Sequence, residues 1–405
     1  MVHRLLPFLV LILAIPVRAA GTAPAPAARF DSGGQALKIP FDDDFGLVFV
    51  KVRVNDSRTA WFLLDSGFDA NILSTGLAKS LGVALADVQR IPQPGGEIEM
   101  GRAAGLVFGL PGVTLVNQTA QTAPLAPLEP FVGRSLDGIL GHEFIRQLVV
   151  EIDYAAAVLN LYDPAGWQYD GGGEILPVTI TGAQPFVPGQ VLLAGRKPVA
   201  GRFKLDTGSL DTIGFNRNFL SAHRLPEVGR PRREEPGLAV GGETRGVRFR
   251  VDGFRLGSRV LKGLPVGGTL DSKGFEDRSD AGTIGAGVLG RFRLVLDYAR
   301  RRAILEPNAR FAEPFPFDMS GAWVTAGGPD WQDFRVHRVL PGTPAAEAGL
   351  REGDVILAVD GRLAETLTLA LVRELLQGPD GQARRLRIRR GDGELTVDLK
   401  LRKLI

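Results

Sequence analysis

The sequence predicts a mostly β protein built from two copies of one lobe and a smaller α+β unit, and three observations carry that reading. From Leu37 onward, short apolar runs such as residues 47–54 and 61–64 are punctuated by Gly, Pro, Asn and Asp, as in closely packed strands. Residues 61–74, around Asp65-Ser66-Gly67, read like residues 202–214, around Asp206-Thr207-Gly208, and the two acids lie 141 positions apart. After Pro307 the composition changes, and a strand, turn, short helix, strand pattern begins.

The chain has 405 residues, 44% hydrophobic and 23% charged, which leaves room for two or three domains that each bury a core. A net charge of +3, from 48 basic and 45 acidic residues, is too small to argue for nucleic acid or a lipid surface. Residues 230–233 and 383–390 are locally basic but hold no aromatic ring for stacking, so they read as a solvated loop and an exposed strand. His3, His142, His223 and His337 are isolated, so neither a metal site nor a cofactor is expected. The absence of cysteine excludes disulfides and thiolate chemistry.

At the N-terminus, His3 and Arg4 precede an apolar stretch, residues 5–17, and then Arg18-Ala19-Ala20. This is the three-part pattern of a secretory signal, assigned to residues 1–19, and it predicts export to a periplasm or the exterior. The apolar stretch is short for a spanning helix, so a cleaved signal fits it better than a retained anchor. Residues 20–35 read as a linker, Pro- and Ala-rich over residues 22–28.

The repeat extends well beyond the two acids. Asp137-Gly138-Ile139-Leu140-Gly141 precedes Glu151-Ile152-Asp153-Tyr154, and Ala281-Gly282-Thr283-Ile284-Gly285 precedes Val295-Leu296-Asp297-Tyr298, both offset by 144. Residues 37–41 and 48–54 find counterparts in 176–180 and 188–193, which divides the repeat into lobes at 36–165 and 174–309. In the last unit, 314–405, residues 341–344 make a turn and 345–348 start a helix that Gly349 ends. Residues 353–357 open a strand closed by Asp360-Gly361, 367–377 have the period of an amphipathic helix, and 385–389 and 394–401 read as strands.

An Asp set directly after an apolar strand end is an uncommon place for a carboxylate. One such Asp, followed by a small hydroxyl and a glycine, reads as a strand-to-turn connection. Two in register read as halves of one site. Carboxylates held a few ångströms apart share one proton, so the pair offers an acid and a base at once. Such a pair activates water against a peptide bond without metal or covalent intermediate. Gly67 and Gly208 then permit close approach, and Ser66 and Thr207 hydrogen-bond across to the opposite loop.

On these motifs, residues 36–307 resemble a pepsin/retropepsin-type aspartic peptidase with both lobes in one chain, most similar to the bacterial retropepsin-like group. The resemblance implies a bilobal, acid-protease-like pair of β-barrels acting on a polypeptide substrate, with Asp65 and Asp206 as the dyad and no dimer or membrane span required. It makes Ser66 and Thr207 the cross-linking hydroxyls, and sets residues 139–141 and 283–285 beneath the loops as supports. It also implies a hairpin flap over the substrate, at Gly95-Gly96 or Gly241-Gly242, where an ordinary surface turn is the alternative. Asp69 matches a position that holds substrate backbone; a local turn cap is its other reading. Phe68 departs from the usual small residue while Ser209 conforms. That asymmetry predicts that Asp206 carries the charge more often, and it leaves open a non-catalytic peptide-binding or scaffolding protein.

Residues 314–405 resemble a PDZ domain of the kind attached to bacterial proteases, through residues 339–348, Gly349-Leu350 and 353–361. The resemblance implies capture of a peptide C-terminus as an added strand. Residues 319–324, with Gly321, Ala322, Trp323 and Val324, would form the carboxylate loop and strand, and residues 367–377 the opposite wall. Trp323 departs from the usual aliphatic residue, and a PDZ shape that only packs on the protease is the alternative.

Overall fold

Alternating burial along Leu47–Val54 turns Lys51 and Arg53 to solvent and Val50, Val52 and Val54 into the core, and the same logic assembles most of the chain into three sheets. The computed structural model describes residues 25–93, 96–225, 231–239, 242–270 and 279–405. The fold is mostly β: two similar β lobes and a smaller α+β unit, called the PDZ unit below after its resemblance.

In the first lobe, Thr59–Leu64 runs parallel to Gly138–Leu140, which is antiparallel to Ile72–Ser74. In the second, Val199–Leu205 runs parallel to Gly282–Ile284, which is antiparallel to Ile213–Phe215. Each Asp thus leaves the end of a strand pinned on one side by its support motif. Leu47–Val54 also pairs with Gly96–Leu110, closing the first barrel; in the second lobe Gln184–Leu192 finds its closing partner in Gly253–Leu256. The ring pair inside each barrel repeats too, Phe62 with Phe108 at 5.9 Å and Phe203 with Phe254 at 5.0 Å between centroids.

Six strands join the lobes: Glu174–Pro177, Arg302–Pro307, Phe292–Asp297, Val149–Asp153, Val158–Tyr162 and Gln35–Asp44. At its centre Glu151 pairs with Val295, its own counterpart at the repeat offset of 144. An antiparallel pair in which a position meets its own equivalent lies on a two-fold axis, so the pseudo-symmetry axis of the lobes passes here.

The PDZ unit has a separate core around Phe334, Val336, Ile356, Leu386 and Ile388. Its sheet runs Ala322–Thr325, Phe334–Val339, Val355–Val359, Ala383–Arg390, Gly393–Lys400. Thr343 caps the helix Pro344–Glu347, and Thr368 caps Leu369–Leu375, which is why the second helix starts later than its apolar period suggests. Arg291 fixes the connector to this unit, donating to the carbonyls of Arg310 (2.8 Å) and Pro314 (3.1 Å).

The linker reading needs a correction. Ala27–Phe30 is a strand, antiparallel to Val113–Ala123, because the edge it joins offers unpaired backbone groups and Phe30 packs against the core. The expected signal and the tips at residues 94–95 and 240–241 lie outside the described residues. Among the described residues, no helix is long and apolar enough to cross a membrane.

Candidate active site

Ser66 and Thr207 are fully buried between the lobes and bond reciprocally. The Ser66 amide donates to Thr207 Oγ1 at 3.0 Å, and the Thr207 amide to Ser66 Oγ at 3.1 Å. Each hydroxyl then donates to the strand end of the other lobe, Ser66 Oγ to the Leu205 carbonyl at 2.9 Å and Thr207 Oγ1 to that of Leu64 at 2.7 Å. Four bonds therefore hold the two loops back to back, and the acids next to them are carried together.

Asp65 and Asp206 are each 8% exposed. The Gly67 amide donates to Asp65 Oδ1 at 2.8 Å, and the Gly208 amide to Asp206 Oδ1 at 3.2 Å. A Cβ on Gly67 would overlap the Asp206 carboxylate, and one on Gly208 that of Asp65, so each acid lies over the other lobe's glycine. Each carboxyl is therefore close enough to the other to act on its ionisation. Burial first, and the Asp206 charge second, hold the Asp65 carboxyl well above the usual carboxylate range, against a smaller pull from Lys204 and the Gly67 amide.

The support motifs lie directly beneath. The Asp65 amide donates to the Leu140 carbonyl and the Asp206 amide to that of Ile284, both at 3.0 Å. A side chain at Gly141 would strike the Ala70 carbonyl and one at Gly285 that of Asp211, which explains a glycine at the same place in both repeats. Behind them Tyr298 is buried with no partner for its hydroxyl among the described residues, its ring 5.6 Å from that of His142, and burial and the Asp65 charge push its ionisation up.

Lys204 was missed by the sequence reading. Its Nζ stands 2.8 Å from Asp206 Oδ2. The signal was a lysine two residues before the acid, hence on the same strand face, where the first repeat has Leu63. The Ser209 hydroxyl accepts from the Asp211 amide at 3.4 Å, and it is the lysine that takes the outer oxygen of Asp206. Phe68 packs against the apolar cluster of Leu63, Ile72, Leu136 and Ile139.

Both flap candidates sit at hairpin ends. Gly96 pairs with Gln93 where Leu85–Gln93 meets Gly96–Leu110, and Gly242 pairs with Ala239 where Arg232–Ala239 meets Gly242–Arg250. Gly95 and Gly241 are outside the described residues. Arg248 ties the second hairpin to the loop that follows Asp206, between Glu235 (2.9 Å) and Asp211. Asp69 is exposed on the first loop.

In the PDZ unit, the loop expected to receive a carboxylate already holds one. The amides of Ser320 and Gly321 donate to Asp318 at 2.9 and 2.7 Å. Gly321 has φ +77° and packs on Thr343. Ala322, Trp323 and Val324 form the edge strand as expected, but Arg373, on the opposite helix, donates to the Val324 carbonyl at 2.8 Å. Burial holds that guanidinium down to about 10. The amide of Ala326, just past the strand, donates to Pro130 of the first lobe at 2.8 Å, and Phe131 meets His337 edge-on. The groove is thus filled by Asp318, Arg373 and the 129–133 segment, because their groups satisfy the backbone an added strand would need.

Residues 50–144 match a family described as aspartyl protease, and residues 335–390 match one described as PDZ domain. Two stretches of the chain are thus similar to known families, the first to aspartyl proteases and the second, after it, to PDZ domains. It is also 36% identical over 100 residues to carboxyl-terminal-processing peptidase 2, chloroplastic, of Arabidopsis thaliana, covering 21% of this chain and 19% of that protein. The putative serine protease HhoA of Synechocystis is 40% identical over 77 residues, 19% of each chain. The chain spans about a fifth of the length of these relatives. Among solved structures, an aspartic proteinase from Irpex lacteus aligns over 72% of this chain and 100% of its own, at 14% identity and a TM-score of 0.45.

Proposed function

We propose that the protein is an exported aspartic endopeptidase, in which Asp65 and Asp206 activate a water against a peptide bond of a polypeptide substrate. The reciprocal bonding of Ser66 and Thr207 carries this reading, since it presents two buried carboxyls to one another at the ends of equivalent strands. Ionised Asp206 takes a proton from the water as its oxygen attacks the substrate carbonyl carbon, and Asp65 gives its proton to the carbonyl oxygen. Asp206 then passes its proton to the amide nitrogen, the C–N bond breaks, and the diol oxygen returns a proton to Asp65.

A serine-type reading, prompted by the name of one relative, fits less well. That likeness spans a fifth of the chain. At the site, Ser66 Oγ donates to one backbone carbonyl and accepts from one amide, which leaves no route to a base. The purified full chain should cleave an unfolded polypeptide, and Asp65→Asn and Asp206→Asn should each abolish cleavage while the melting temperature shows them folded. Cleavage that survives either substitution removes the dyad mechanism; a wild type that turns over nothing leaves the binding or scaffolding reading.

A further inference from the structure

The two halves of the site differ most where the repeat would make them alike. Leu63 and Lys204 are equivalent, as are Phe68 and Ser209, and Ile139 and Thr283. Leu63 pairs with Phe49 across one strand and with Ile139 along the support; Lys204 pairs in the same register with Phe186 and Thr283. Asp65 therefore has an apolar neighbourhood of Leu63, Ile139 and Phe68, and Asp206 a polar one of Lys204, Thr283 and Ser209. The ammonium lies 2.8 Å from Asp206 Oδ2, with the two side chains 18% and 12% exposed, so water screens the pair weakly.

We propose that Lys204 is a positioning residue that fixes the charge of the dyad on Asp206 and leaves the transferable proton on Asp65, a role that rests on the catalytic reading above. A dyad works with one proton. An ammonium 2.8 Å from one carboxyl oxygen favours the charge on that acid, and burial together with that charge holds the remaining proton on Asp65. The other groups facing the pair do not supply this charge. Tyr298 is kept neutral by burial, the His142 ring lies tilted against it, Asp211 is engaged by Arg248, and Asp69 is exposed on the loop beyond. Lys204 holds one acid oxygen; the catalytic groups are the acids themselves.

The test is the pH profile of kcat/KM for the full chain and for Lys204→Leu, which installs the residue of the first repeat, with Lys204→Met as a second apolar variant and Lys204→Arg as the conservative one. The apolar variants should move the acid limb up by about one to three pH units, and Lys204→Arg should restore it to within about half a unit of wild type. Unaltered acid limbs in both apolar variants, with wild-type melting temperatures, would overturn the proposal. A readout without turnover separates this from the endopeptidase reading. In aspartate carbon-13 spectra, the carboxyl signal lost in Asp206→Asn should titrate higher in Lys204→Leu than in wild type. If the wild type cleaves nothing, that titration alone decides: a rise supports the role of Lys204, and an unchanged midpoint rejects it.

Discussion

Thr207→Val removes one hydroxyl and almost nothing else, because valine has the same shape. Two groups lose their partner: the Ser66 amide, now 3.0 Å from Oγ1, and the Leu64 carbonyl, now 2.7 Å from it. Both residues are completely buried, so neither group finds solvent. An unsatisfied buried donor or acceptor costs about 1–3 kcal/mol, which places the loss at about 2–6 kcal/mol in all. At roughly 2–4 °C per kcal/mol for domains of this size, the protease unit should melt about 10 °C lower. Thr207→Ser keeps both bonds and should fall by a fraction of that. Calorimetry of the full chain at one pH measures the difference, with near-ultraviolet circular dichroism following the lobes. Adding Ser66→Ala should cost less than the sum of the single changes, since the two hydroxyls share one network. A Thr207→Val protein that melts within about 2 °C of wild type would refute the claim that these bonds clamp the lobes.

The other expected outcomes concern charge, space and the groove. Because burial raises the Asp65 carboxyl in the native state, the folded chain keeps a proton that the unfolded chain releases above the ordinary aspartate value of 3.8. Stability therefore falls as pH rises from 3.8 toward the raised value, and Asp65→Asn should flatten that fall in melting curves taken from acid to neutral buffer. Gly285→Ala would drive a methyl into the Asp211 carbonyl and should lower stability by more than about 3 kcal/mol in urea titration, whereas Gly76→Ala, with open space around it, should change little. A peptide with a free C-terminal carboxylate should bind the intact chain poorly, since Asp318 occupies the loop amides; Asp318→Ser should tighten calorimetric binding at least about tenfold. Equal affinities would show the loop open in the wild type.

Much of this molecule is legible along the chain. Strand punctuation, the two Asp-hydroxyl-Gly segments and the matched supports identify paired lobes, since a glycine under a loop and an acid at a strand end leave marks in one dimension. The linker reading failed at residues 27–30 because a strand joining a sheet edge is chosen by the edge, not by its own propensity. The PDZ groove shows the same limit. Residues 319–324 have the pattern of a carboxylate loop, but whether its amides are free depends on Asp318 folding back and on Pro130 arriving from a distant lobe.

The sequence by itself determined the two-lobe β architecture, the third unit and the pair of acids, because those follow from periodicity and repetition in neighbouring residues. Only the tertiary structure decided how the acids differ. Phe68 was the visible asymmetry, yet its ring is drawn into an apolar cluster, and it is the Lys204 ammonium, 2.8 Å from Asp206, that distinguishes the halves. An electrostatic preference depends on distance and on the water excluded around it, and both are set by packing between strands far apart in the chain.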